Sequence, residues 1–255
     1  MAEVEGDLVK IGLETDRLAA EYSAPESGMF GRSEAFLKMP LSRQCETLGI
    51  PFDAVAMERA QRQWFVFGTA HKRPEDAALA RFQEQGWNGT ACEGSAVLML
   101  MKAACLDYLA KVNTFGNRED ACMRFFEAQC IIHRKQSTAI IGEIERAGKA
   151  TVQANLAEIM SQPRYSTIYP AIDAEALIAI WQAITPTQLA SLASRIFDDP
   201  GYRAGWPDLT LARGNEVMFV EVKTTDKLHA SQRDVILEIL KPMGANVRVL
   251  RLKQS

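Results

Sequence analysis

Residues 203–232 read RAGWPDLTLARGNEVMFVEVKTTDKLHASQ, and the fold of the chain turns on them. Gly205, Pro207 and Asp208 mark a turn that delivers a carboxylate at the head of an apolar run, Leu209 to Leu211, which reads as a short strand. Gly214 and Asn215 make a second turn into Val217–Val222, whose β-branched and aromatic residues read as the returning strand of a hairpin. Strand side chains alternate faces, so Phe219, Glu221 and Lys223 share one face while Met218, Val220 and Val222 share the other. A carboxylate and an ammonium side by side, with a second carboxylate brought alongside by the paired strand, can hold a hard divalent cation next to a fixed positive charge. An exposed ion pair on a half-solvated hairpin would be commonplace and energetically slight. Here Phe219 lies on the charged face and the opposite face is wholly apolar, so the strand reads as buried on both sides. Two charges on such a strand are costly without a purpose.

Asp208, then Glu221-Val222-Lys223, then Asp226-Lys227-Leu228 and Gln232, resembles the VRR-NUC branch of the PD-(D/E)xK nucleases. The lead-in Gly205-Trp206-Pro207-Asp208 and the tail from Asp226 to Gln232 are more specific than the bare acid and E-x-K pattern. The likeness is to the nuclease end of the Fanconi-associated nucleases and runs from about Trp87 to the C-terminus.

The 255 residues are enough for one large domain or two small ones. A formal net charge of −3 gives no global basic footprint, so any nucleic-acid contact must come from a local positive cleft. Five cysteines without a CxxC pair read as free thiols rather than a disulfide framework or zinc ribbon. The opening MAEVEGDLVK lacks an apolar core and does not read as a secretory signal. The longest apolar run, Ala96–Leu106, contains Lys102 and is too short for a membrane segment.

Helical spacing predicts helices at Glu3–Glu21, Asp53–Ala70 and Pro74–Gln85, with a loop at Ser23–Gly31. Arg59, Arg62, His71, Lys72 and Arg73, interleaved with Trp64 and Phe65, read as a solvated helix end with core aromatics in preference to a DNA-facing patch. Glu93 precedes a long apolar helix, and by itself reads as an acid favoured by the helix dipole. Arg118–Gln162, Asp173–Ile184 and Pro186–Phe197 read as helices inserted before the hairpin. Ala230–Pro242 reads as a helix stopped by Gly244, and Asn246–Leu252 as a final strand. The expected fold is α/β, a PD-(D/E)xK nuclease core with a small mixed sheet flanked by helices, a mostly helical N-terminal half and a helical insertion. The expected division is a helical region at 1–86 and a VRR-NUC nuclease domain at 87–255, with the insertion at about 118–198.

The resemblance implies a metal-dependent DNA nuclease. It makes Glu93 the first metal-binding acid, joined by Asp208, Glu221 and the backbone carbonyl of Val222 around Mg²⁺ or Mn²⁺. Lys223 would orient or deprotonate water, or act as a fixed cation. Gln232 either supports Lys223 or the substrate, or simply makes a helix-start hydrogen bond. Arg203 and Lys227 flank the site as phosphate contacts. VRR-NUC domains are also carried by type VI secretion effectors, which need no Sec signal and are held inactive by an immunity protein. The family's upstream 5′-phosphate pocket has no counterpart in the aligned stretch, which suits such an effector acting in the cytoplasm of a target bacterium. The alternatives are a repair or junction nuclease in the cytoplasm of its own cell and a non-catalytic nucleic-acid-binding protein.

Overall fold

The computed structural model describes residues 30–163, 165 and 172–255. The helix expected at Glu3–Glu21 lies outside them, as does the expected loop up to residue 29; Phe30 and Gly31 already belong to a helix. Residues Ala35–Ser255 form one compact unit. Of the unit before it, Met1–Glu34, only the helical residues 30–34 are described.

Among the described residues, seven strands make one mixed sheet. They are β1 (Phe52–Ala60), β2 (Gln63–Val66), β3 (Thr69–His71), β4 (Asn88–Ala91), β5 (Leu209–Arg213), β6 (Glu216–Lys223) and β7 (Asn246–Gln254). Their order is β3-β2-β1-β7-β6-β5-β4. The hairpin read from the sequence is present, with β5 and β6 antiparallel and Arg213 opposite Glu216 across the Gly214-Asn215 turn. The final strand β7 lies parallel to β6 on one side and parallel to β1 on the other.

The pairing of β1 with β7 corrects the reading of Asp53–Ala70 as a helix. Its Ala, Met, Glu, Arg and Gln residues suit a helix, but six successive residues, Phe52 to Met57, are in register with Val249 to Gln254. Pairing along a preformed strand outweighs weak local preference. The basic and aromatic residues therefore sit on a β-meander and its exit, with Trp64 in the core, in place of a solvated helix end. The sheet draws strands from both sides of residue 86.

The helices are α1 (Phe30–Lys38), α2 (Leu41–Leu48), α3 (Pro74–Gln83) and α4 (Ser95–Val112), then α5 (Arg118–Met123), α6 (Phe126–Ile132), α7 (Ser137–Arg146) and α8 (Lys149–Met160). They continue with α9 (Ala174–Ala183), α10 (Pro186–Asp198) and α11 (Ala230–Asp234), which runs on as a π-helical turn at Val235–Leu240. Helices α4 to α10 lie between β4 and β5. The apolar residues of α5 to α10 pack with α4, Phe219 and Val249 in the larger core. Met218, Val220 and Val222 join Ala77, Ala78 and Phe82 of α3 in a second core on the other side. Strand β6 is consequently buried on both faces from Met218 onward. Among the described residues no single helix is long and apolar enough to cross a membrane.

Candidate active site

The site forms where β5 begins and β6 ends. Leu209 is paired with Val220, so Asp208 arrives one step before the ladder, beside the last turn of β6. Its Oδ2 accepts a hydrogen bond from the Val222 amide at 2.7 Å, which fixes the carboxylate against the strand. Two residues along, Glu221 and Lys223 project together, with Nζ to Oε1 at 2.8 Å and both side chains at most 5% exposed. Asp226 accepts a second contact from Lys223 at 3.1 Å.

Two glycines permit the close approaches that assemble these groups. Gly205 has φ +89°, and a Cβ there would overlap the backbone of Ser231. The turn before Asp208 therefore lies directly on the start of α11, which carries Gln232. Gly94 has φ +80°, and a Cβ there would enter the Trp206 ring. The preceding Glu93 also has positive φ, +49°, a conformation costly for a residue with a side chain. This left-handed pair turns the chain from β4 into α4 and brings the Glu93 amide to the Asp208 carbonyl at 3.3 Å. Glu93 itself is exposed.

Gln232 makes the helix-start bond expected as one of its alternatives and also reaches into the carboxylate cluster. Its Oε1 accepts from the His229 amide at 3.0 Å, a helix-start bond, while its Nε2 donates to Glu221 Oε1 at 2.5 Å. The side chain it supports is thus Glu221 rather than Lys223. Lys227 is exposed, and its ammonium donates to the Lys38 carbonyl at 3.1 Å. Arg203 ends a 3-10 turn at Pro200–Arg203, and its side chain lies outside those described.

Charge at this point is strongly perturbed. Burial pushes the Glu221 carboxyl up to about 8, and the Asp208 charge adds to the effect against the opposing help of Lys223 and Gln232. Burial likewise raises Asp208 to about 6, with the Val222 amide working the other way and Glu75 and Glu93 adding repulsion. For Lys223, burial disfavours the ammonium, but Glu221 and Asp226 outweigh it and hold its pKa above that of a free lysine. Glu75 and Arg73 are two charges near Asp208 that were not singled out as site residues, and both act on it or feel it. In the sequence they look like a helix start after a basic residue, and only the packing of α3 over Val222 reveals their position.

The donor set suits a divalent cation. Glu221 Oε2 is buried and has no hydrogen-bond partner, so one oxygen of a carboxylate wedged beside Asp208 is left for another positive group. Among the described residues no three His, Cys, Asp or Glu side chains close a metal cage by themselves. A Mg²⁺-type site characteristically uses one or two carboxylates and completes its shell with water and phosphate oxygens.

Residues 148–254 match the model of the VRR-NUC domain. No curated protein matches the chain. Among solved structures, the chain is similar to the crystal structure of paFAN1 bound to DNA with a two-nucleotide 5′ flap and a gap, with TM-score 0.59 and 18% identity, covering 94% of this chain and 46% of that one. The crystal structure of paFAN1 with a one-nucleotide 5′ flap and a gap gives TM-score 0.59 and 17% identity over the same shares. The likeness at this identity is one of fold, and the chain spans about half the length of those proteins.

Proposed function

We propose that this chain, which carries a VRR-NUC domain at residues 148–254, is a metal-dependent nuclease hydrolysing phosphodiester bonds of DNA. The observation that carries this reading is the buried Glu221 carboxylate, with one oxygen unpartnered, set beside Asp208 and paired with Lys223. A metal ion would take the oxygen that the protein's own groups leave without a partner. Glu93, Asp208, Glu221 and the Val222 carbonyl would hold Mg²⁺ or Mn²⁺. Such an ion neutralises phosphate charge and lowers the pKa of a bound water.

The remaining roles fall to the protein's own groups. Lys223, whose pKa is held high by its two carboxylate neighbours, suits a fixed cation facing the phosphate better than a base at neutral pH. Gln232 orients Glu221 through its amide. Arg203 and Lys227 are our phosphate contacts, Lys227 after release from the Lys38 carbonyl. We assign the chemistry to residues 87–255, with 1–86 as a region that supports it, since β1–β3 and α3 complete the sheet.

For the setting, we favour an antibacterial effector of type VI secretion, neutralised by an immunity protein in the producing cell. A repair or junction nuclease uses the same chemistry in its own cytoplasm. Expression in a bacterium separates them: the effector reading expects killing by wild type and none by Glu221→Ala or Lys223→Ala. Equal growth of all three overturns it. The nuclease reading itself is tested with linear, circular, flap and four-way DNA in Mg²⁺ or Mn²⁺. Cleavage lost in Asp208→Ala is expected; binding without cleavage of any substrate would leave a non-catalytic binding protein.

A further inference from the structure

The β1–β3 meander has a second feature, separate from the carboxylates. Both of its turns place two central residues at positive φ, Gln61 and Arg62 at +50° and +65°, then Phe67 and Gly68 at +48° and +81°. Such turns match strand twist, but they favour Asn, Asp and Gly. Phenylalanine at that position is strained, and Phe67 is also 73% exposed, more than any other large hydrophobic among the described residues. The ring is thus unfavourable twice over, in backbone conformation and in solvation.

The meander behind this tip is cationic, with Arg59 level with Trp64 and His71 and Arg62 in the opposite turn. In a chain of net charge −3, residues 58–73 contain Arg59, Arg62, Lys72 and Arg73 against the single acid Glu58. All four cations are exposed. Arg59 is held over the Trp64 ring at 5.0 Å, which keeps its guanidinium on the meander surface. The meander also leads to the site. Strand β3 runs into Arg73, which caps α3, pairs with Asp76 and feels the Asp208 charge.

We propose that Phe67 is a stacking residue for an unpaired base of the DNA substrate, with Arg59 and Arg62, farther back on the meander, against the neighbouring backbone. The proposal rests on the nuclease reading and adds to it the residue that would hold an unpaired base. An exposed aromatic in a basic setting accepts any base face, which gives preference for single-stranded character without sequence selectivity. An acidic protein partner is the competing occupant.

The test uses the full chain and reads binding separately from cleavage. Phe67→Asn suits the left-handed turn and keeps the fold, while Phe67→Trp keeps the aromatic face. Affinity is measured by fluorescence anisotropy without divalent metal, on a fully paired duplex and on DNA with an unpaired stretch. A 2-aminopurine stepped through the unpaired stretch reports stacking by quenching. We expect Phe67→Asn to weaken binding to unpaired DNA on the order of tenfold or more, to leave duplex binding unchanged and to lose the quench. Phe67→Trp should retain both. Equal binding by wild type and Phe67→Asn overturns the proposal and leaves the tip to a protein partner. Equal loss on duplex and unpaired DNA also overturns it. Failure of wild type to cleave any DNA while these differences persist strikes the nuclease reading instead.

Discussion

At the scale of single residues, the strongest consequence concerns Glu221. Its carboxyl is raised from 4.5 to about 8, so the folded protein keeps a proton there that the unfolded chain gives up. The associated stability is full below about 4.5 and is lost as pH rises toward 8. Asp208, raised from 3.8 to about 6, acts in the same direction over a lower window. Metal-free protein should therefore lose stability as pH rises from about 5 to 8, seen as a falling melting temperature, by on the order of a few kcal/mol at ~1.4 kcal/mol per unit. Added Mg²⁺ or Mn²⁺ should restore stability more at pH 8 than at pH 6, and Glu221→Gln should flatten both dependences. Thermal melts with and without EDTA check this. Gln232→Ala removes both the support of Glu221 and a helix-start bond. We expect cleavage slowed on the order of 10- to 100-fold and stability lowered by about 1 kcal/mol. Glu221 and Lys223 were legible as neighbours because alternation on a strand fixes which side chains share a face, and Asp208 because the turn at Gly205 and Pro207 sets it at the head of the paired strand. Arg73 and Glu75 were not, since their nearness to Asp208 depends on how α3 lies over the sheet.

At the scale of elements, the hairpin, α9, α10 and β7 follow their local patterns closely. Thr185 caps α10 in a reciprocal box with Gln188, an arrangement readable from residue type and spacing. The β1–β3 meander does not follow its pattern: Gln61 and Arg62 are not turn residues by type, and β1 is a strand because β7 offers it a partner. Strand β4 has four residues and includes Gly89, too short to announce itself. The contact between the Asp208 turn and α11 rests on Gly205. Gly205→Ala would meet the Ser231 backbone in a left-handed conformation, with no flexible side chain to yield. A loss of roughly 2–4 kcal/mol is expected, with activity falling further than stability because Gln232 and Asp208 are driven apart. Denaturant melts beside cleavage rates measure the two effects.

At the scale of the whole molecule, the sheet depends on strands from distant parts of the chain. Removing residues 1–86 would strip β1 from β7 and uncover Val220 and Val222, which α3 now buries. A chain trimmed to 87–255 should lack a cooperative melt and expose apolar surface, as dye binding and calorimetry would show. The same interdependence brings Glu93 to Asp208 across more than a hundred residues of chain, through one backbone hydrogen bond and two left-handed residues. The central claim is that Asp208 and Glu221, with Glu93 at their edge, would hold a divalent cation for phosphodiester hydrolysis. Its most direct test is the rate of plasmid cleavage by wild type and Glu221→Gln, titrated with Mn²⁺ and then quenched with EDTA. Saturable, Mn²⁺-dependent cleavage by wild type alone, abolished by EDTA, is the predicted result; cleavage by Glu221→Gln at the wild-type rate, or cleavage indifferent to EDTA, would contradict it.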